Sequence, residues 1–181
     1  MRLDSPRFCV GEWSQPFPPT PRVVKAVTME ASAFDQPYRG GFVGAEHRFA
    51  LCVYFEDTDT AGIVYYANYL KYMERARSDM LRAAGVDQAA ALATGEGVYA
   101  VADVAISYKR PARLGDDLVI TTRLLEIRAA SVVIHQKVMR GTEHLTDARI
   151  TAAFLSLDGR PRRQPAKWVE AFRAITSQGN T

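Results

Sequence analysis

Residues 53–77 read VYFEDTDTAGIVYYANYLKYMERAR. Three acids, Glu56, Asp57 and Asp59, stand between an alternating apolar run and a stretch of helical spacing. Upstream, Phe49, Leu51, Val53 and Phe55 alternate with Arg48, Ala50, Cys52 and Tyr54, which predicts a strand from His47 to Phe55 with at least one face buried. Downstream, Tyr69, Tyr72, Met73, Ala76, Met80, Ala83 and Ala84 recur at helical intervals, with Lys71, Arg75, Ser78 and Arg82 opposite them. Asn68 is placed to cap this helix and Gly85 to end it. From Asn68 to Ala84 such a helix would run roughly 25 Å, long enough to cross a whole sheet.

The rest of the chain supplies that sheet. A short helix is expected at 87–93, and then four extended segments, 98–109, 116–127, 131–140 and 145–157, each rich in Val, Ile, Thr or Leu. They are joined by turn material, RPARLGDD, RAAS and RGTEH, and followed by LDGRPRRQP and a final short helix carrying Trp168 and Phe172. Links this short demand mostly antiparallel pairing, because a parallel crossover needs a dozen residues or more. One long amphipathic helix can bury its apolar stripe only against the sheet. The expected class is therefore α+β, a five-stranded, mostly antiparallel sheet wrapped around one long central helix.

Composition narrows the function. The 181 residues are 48% hydrophobic, enough for one domain with a core, and the formal charge of +3 argues against a nucleic-acid partner. Residues 1–104 hold 10 basic and 13 acidic side chains, whereas 105–181 hold 13 and 7, so acids lie early and bases late. Residues 1–44 contain six of the nine prolines and no sustained period, and read as a poorly ordered N-terminal extension; 45–175 form the domain and 176–181 a tail. Met29 raises the expectation of a natural start there. Cys9 and Cys52 form no C-x-x-C pair, no run approaches the length of a membrane span, and no secretory layout opens the chain, so a cytoplasmic protein is expected. His47, His135 and His144 lack metal-ligand spacing, and neither a metal nor a cofactor is expected. YRGGFVG follows no strand and opens no helix, which excludes a phosphate-binding loop, and no Ser-His-Asp or Cys-His arrangement is suggested.

Among the three acids, Glu56 at a strand end and Asp57 in position to bond its own turn backbone have ordinary structural readings. Asp59 precedes the tight turn Thr60-Ala61-Gly62 and the apolar and aromatic run Ile63-Val64-Tyr65-Tyr66. That order places a carboxylate facing a partly dry pocket beside a helix N-terminus, where backbone N–H groups can meet a developing oxyanion.

EDTDTAGIVYYANYLKYMERAR resembles the N-terminal motif of the hot-dog-fold acyl-CoA thioesterases, in the branch that holds 4-hydroxybenzoyl-CoA thioesterase and the Tol-Pal-associated enzymes. The likeness continues through ISYKRPARLGDDL and covers roughly residues 46–173. It implies a hot-dog fold and hydrolysis of an acyl-CoA to acid and CoA, with Asp59 as nucleophile or general base and the backbone N–H of Tyr66 polarising the thioester carbonyl. Many Tol-Pal-type members carry histidine where this chain has Tyr66, so only the main-chain role transfers; pocket lining is the other reading of Tyr66. Tyr65 and Tyr69 are further candidates for contact with the acyl group. Coenzyme A phosphates call for Arg or Lys at the pocket mouth. Arg128 aligns with a phosphate-binding arginine of the hydroxybenzoyl branch, Lys109 and Arg110 are secondary candidates with a solvated loop as their alternative, and Arg162 and Arg163 follow.

Two other functions compete. A hot-dog enoyl-CoA hydratase of the R-specific type needs histidine five residues after its aspartate, and here Gly62 and Val64 stand five after Asp57 and Asp59. A non-catalytic module binding acyl-CoA or acyl carrier protein is the second. The edges of such a sheet also need cover. Isologous pairing into a homodimer with the pocket at the subunit boundary is implied by the resemblance, and back-to-back packing through a remaining apolar face would make a tetramer.

Overall fold

The computed structural model describes residues 37–178; the expectations for residues 1–36, an internal start at Met29 among them, lie outside the described residues. In chain order the elements are β1 (Gly41–Val43), β2 (Glu46–Cys52), α1 (Asn68–Ala83), α2 (Gln88–Ala93), β3 (Val98–Tyr108), β4 (Asp117–Ile127), β5 (Ser131–Arg140), β6 (Glu143–Leu155) and α3 (Ala166–Ser177). They form one antiparallel sheet in the order β1-β2-β4-β5-β6-β3, with α1 packed against it.

The sheet has six strands where five are expected, because β1 lies inside the span read as a poorly ordered N-terminal extension. Gly44, at φ +58°, makes the left-handed turn that folds β1 back on β2. Gly40 passes so close to β2 that a Cβ there would collide with the Arg48 carbonyl. The glycines of YRGGFVG therefore serve a hairpin and a close backbone approach.

Two clusters divide the core. Tyr69, Tyr72, Met73 and Ala76 of α1 pack on Leu118, Ile120, Val138, Leu145 and Ile150. Met80 and Leu81 meet Val132, Ile134 and Phe154, and Trp168 and Phe172 of α3 complete this second cluster. Each fully buried side chain of this size contributes about 1.5–3 kcal/mol. Gln136, wholly buried, ties helix to sheet by donating to Met73 O (3.0 Å) and Thr122 Oγ1 (3.0 Å). Asp79 of α1, also buried, accepts from His47 Nε2 (3.1 Å) and the Gly40 N–H (2.8 Å), which fastens β1 and β2 to the helix.

Three local expectations change. β2 ends at Cys52, and Phe55, 82% exposed, sits in a 3-10 turn, Phe55–Asp57, instead of the strand's buried face. Asn68 is the first residue of α1, preceded by Ala67 in helical geometry; its side chain donates to Asp57 O (2.9 Å) and caps nothing. In β3 strict alternation along the extended segment 98–109 would put Val98, Ala100, Ala102, Val104 and Ile106 on one face. A bulge between Val101 and Asp103 shifts the register, so that Tyr99 and Val101 share a face with Val104, Ile106 and Tyr108.

The outer face of the central strands is charged rather than apolar. Arg123, His135, Lys137, Asp147 and Arg149 occupy it, linked by pairs such as His135–Asp147 (2.8 Å). On the inner face, at the sheet edge, Val101 and Val104 of β3 are exposed.

Candidate active site

The segment joining β2 to α1 is held by backbone bonds. Val53 exchanges bonds with the 115–116 turn, the Asp59 N–H donates to Ile63 O (2.9 Å), and the Gly62 N–H donates to Asp59 O (3.0 Å). Gly62 has φ +70°, which the closing position of this turn requires and other residues adopt at a cost. The Val64 N–H donates to Ala112 O and the Tyr65 N–H to Asp57 O, both at 2.9 Å. A loop with its own ladder thus carries Asp59 and delivers the chain to α1.

Asp59 is exposed at the tip of this turn, whereas the sequence reading put it against a partly dry pocket. Its Oδ1 accepts from the Ala61 N–H (2.8 Å), an Asx turn that orients the carboxylate, and among the described residues nothing bonds the second oxygen. Asp57 is the buried member of the pair. It accepts from the Tyr54 N–H (2.9 Å), three residues back instead of two residues on, and its carbonyl takes the Asn68 amide (2.9 Å). Glu56 is exposed.

Tyr66 lies two residues before α1. Its ring is exposed, tilted against Tyr65 at 4.7 Å and edge-on to Tyr108 at 6.3 Å. Among the described residues no acceptor takes its N–H. Tyr69 is buried one turn further, and its hydroxyl oxygen accepts from the Ala112 N–H (2.8 Å); burial pushes its phenol up. Tyr65 stays at the rim with 45% of its surface exposed.

A groove of about 280 Å³ opens beside this helix entry, lined by Ile63, Val64, Tyr66, Tyr69, Tyr108, Lys109, Arg110 and Pro111. Four sequence candidates, Tyr66, Tyr69, Lys109 and Arg110, therefore share one cavity, with Asp59 on the adjoining turn. The two cations are held from behind. Lys109 Nζ lies 3.3 Å from His144 Nδ1, and Arg110 donates to Glu143 (2.7 Å). Hydrogen bonds from Arg140 and then Arg110 keep the Glu143 carboxyl below its ordinary range, so it stays an anion that anchors both.

Arg128 is elsewhere. It sits on the β4–β5 turn with its guanidinium on Glu126 (2.6 Å), and lines a cleft of about 360 Å³ with Arg163 and with Glu170 and Arg173 of α3. The Asp59 loop meets β4 at its start, where Leu51 pairs with Leu118. Ten residues of strand, roughly 30 Å, separate that point from Arg128. Within one chain the two do not meet. Arg162 is a strut, donating to Glu96 O (2.6 Å), while Arg173 joins the cleft unforeseen. Tyr108 is the other residue missed. Its parity with Ile106 was legible, but a strand-end tyrosine gives no sign of reaching a loop 42 residues away.

Among the described residues no helix is long and apolar enough to cross a membrane.

Comparison with known proteins places this geometry. The family model of the thioesterase-like superfamily matches residues 53–175. The acyl-CoA thioesterase YbgC of Haemophilus influenzae is 37% identical over 109 residues, covering 60% of this chain and 80% of that protein. A probable thioesterase from Bartonella henselae, known as a crystal structure, is 35% identical with a TM-score of 0.63, over 66% of this chain and 99% of the other. A mutant 4-hydroxybenzoyl-CoA thioesterase solved with 4-hydroxybenzoyl-CoA superposes with a TM-score of 0.65 at 25% identity, over 70% and 98%. The hot-dog architecture derived from strand order and the motif at the start of α1 agree with these relatives, and the chain belongs to the thioesterase-like superfamily.

Proposed function

We infer that the chain hydrolyses acyl-CoA thioesters to the free acid and coenzyme A. One observation carries the site assignment: Asp59, whose second carboxylate oxygen has no partner among the described residues, adjoins a groove into which the Tyr66 N–H, which has no acceptor among them, can point. A thioester carbonyl seated there would build negative charge on its oxygen as it is attacked. The Tyr66 N–H, aided by the positive end of α1, stabilises that charge. Asp59 either takes a proton from the attacking water or adds to the carbonyl itself, forming an anhydride that water then opens; in both routes CoA leaves as the thiol. The relatives support the reaction class, since both the Haemophilus protein and the benzoyl enzyme are named for it.

Topology supports a shared site. Asp59, Tyr66 and the groove gather at one end of the sheet, with Tyr108 at the end of β3; Arg128 belongs to the other end, where Val98 begins β3. Pairing two β3 edges antiparallel about a twofold axis brings the partner's opposite end alongside the groove. The partner's β4–β5 turn then lies three strands in, about 15 Å from the seam. In this arrangement Arg128 and its cleft serve the nucleotide end of a CoA whose thioester sits at Tyr66 of the first chain. The charged outer face gives a back-to-back tetramer little support. Acyl carrier protein as an alternative carrier uses the same thioester chemistry and rests on no separate feature.

Release of free thiol from a panel of acyl-CoAs tests the reading; a protein that binds them without turnover would be the non-catalytic module. A single turnover in ¹⁸O water separates the two roles of Asp59. An unlabelled first acid with ¹⁸O in Asp59 marks direct attack followed by opening of the anhydride at the Asp59 carbonyl; general-base catalysis puts the label in the acid and none in Asp59, and trapping of an acylated Asp59 distinguishes it from an anhydride opened at the acyl carbon. Light scattering at micromolar concentration should give about twice the 20.1 kDa chain mass.

A further inference from the structure

We propose that Tyr108 is a positioning residue for this reaction, its hydroxyl holding the peptide turn that presents the Tyr66 N–H to the groove. The inference rests on the assignment of that N–H as oxyanion donor.

The approach to α1 is stitched on both sides of Tyr66. Before it, the Val64 and Tyr65 N–H groups donate to Ala112 O and Asp57 O. After it, the Asn68 N–H donates to Tyr65 O (2.8 Å), which fixes the plane of the 65–66 peptide, the one that carries the Tyr66 N–H. The next peptide, 66–67, is held differently. Among the described residues the hydrogen bond made to Tyr66 O comes from the Tyr108 hydroxyl at 3.1 Å. The backbone torsions of Tyr66 therefore lie between two anchors, a main-chain bond within the turn and a single side-chain hydroxyl reaching over from β3.

That hydroxyl is itself braced. The Tyr108 ring stands edge-on to Tyr66 at 6.3 Å and to Tyr69 at 5.6 Å, and Tyr69 is pinned by the Ala112 N–H. The bulge at Ala102 sets the parity of β3 so that Tyr108 faces the helix entry instead of the outer surface. Partial burial, followed by the neighbouring Tyr66, raises the Tyr108 phenol above its ordinary value, so it remains a donor well into alkaline solution.

An oxyanion donor works only where it points. Removing one outright costs about 10²–10³ in rate, and freeing one of its two anchors should cost about tenfold. Tyr108→Phe keeps the ring contacts and deletes the hydroxyl alone. The expected result is a kcat about tenfold lower, with KM within about twofold and an unchanged melting temperature. A kcat within about twofold of wild type overturns the inference, as does a loss of rate matched by a loss of stability or appearing only in KM. Replacing Tyr108 by 3,5-difluorotyrosine gives a second reading that a packing role would not move. This phenol ionises at lower pH and stops donating, so the alkaline limb of kcat should shift down; an unshifted limb overturns the proposal. Wild-type turnover in the same assay tests the thioesterase assignment separately, and its absence would sink both.

Discussion

Asp59 and Asp57 stand two residues apart and face opposite demands. Asp59 is exposed and its side chain, among the described residues, bonds only its own turn, so Asp59→Asn should leave the melting temperature unchanged and slow thiol release by about 100-fold or more. Activity equal to wild type, once deamidation is excluded by mass spectrometry, would remove it from the chemistry. Asp57→Asn retains an oxygen for the Tyr54 N–H and should cost far less rate, whereas Asp57→Ala removes the acceptor of that part-buried bond and should cost about 1 kcal/mol in denaturant unfolding. The sequence marked Asp59 because a carboxylate before an aromatic run and a helix start has few structural uses. It could not show that Asp57 is the buried one, since that depends on the 3-10 turn that ends β2 early.

At the scale of elements, long periodic segments were legible and irregular joints were not. The stripe of α1, β4 as far as Leu124 and β5 as far as Val138 were legible because a period survives over most of each element; the irregularity that follows in each strand left no mark in the sequence. The bulge in β3 breaks its period at Ala102, so strict alternation fails to carry a face from its first half to its second. The strand β1 was lost because three residues carry no period at all. Its attachment through His47 and Asp79 gives a pH prediction. Burial lowers the His47 pKa from the ordinary 6.5 by more than Asp79 raises it, so the unfolded chain binds the proton more readily. Stability is then complete above about pH 6.5 and declines as pH falls through the folded value. Thermal melts between pH 8 and 5 should show this slope, and His47→Gln should flatten it even if its melting temperature is lower throughout. An identical slope in both proteins would assign the effect to other groups.

For the whole molecule, the strand order and the early-acid, late-base asymmetry acquire a common geometry, with acids and groove cations at one end of the sheet and Arg128, Arg163 and Arg173 at the other. The asymmetry was visible in the sequence. That a strand's length separates the two groups was not, because register is a property of pairing. If the distal cleft holds the nucleotide, Arg128→Ala should raise KM for an acyl-CoA several-fold and leave an acyl-pantetheine, which lacks the nucleotide, nearly unaffected. Equal effects on both substrates would instead indicate damage to the β4–β5 turn.

The distance between Asp59 and Arg128 along β4 has a genetic consequence. If the proposed site is shared between the subunits of a dimer, two crippled proteins can repair each other. In a mixed dimer of Asp59→Asn and Arg128→Ala chains, one site inherits both lesions and the other inherits neither. Co-refolding the two variants should therefore restore about a quarter of wild-type activity at low substrate: half of the dimers are mixed, each with one sound site. Were Asp59 and Arg128 of the same chain to share a substrate, mixing would yield no more than the average of the two parents.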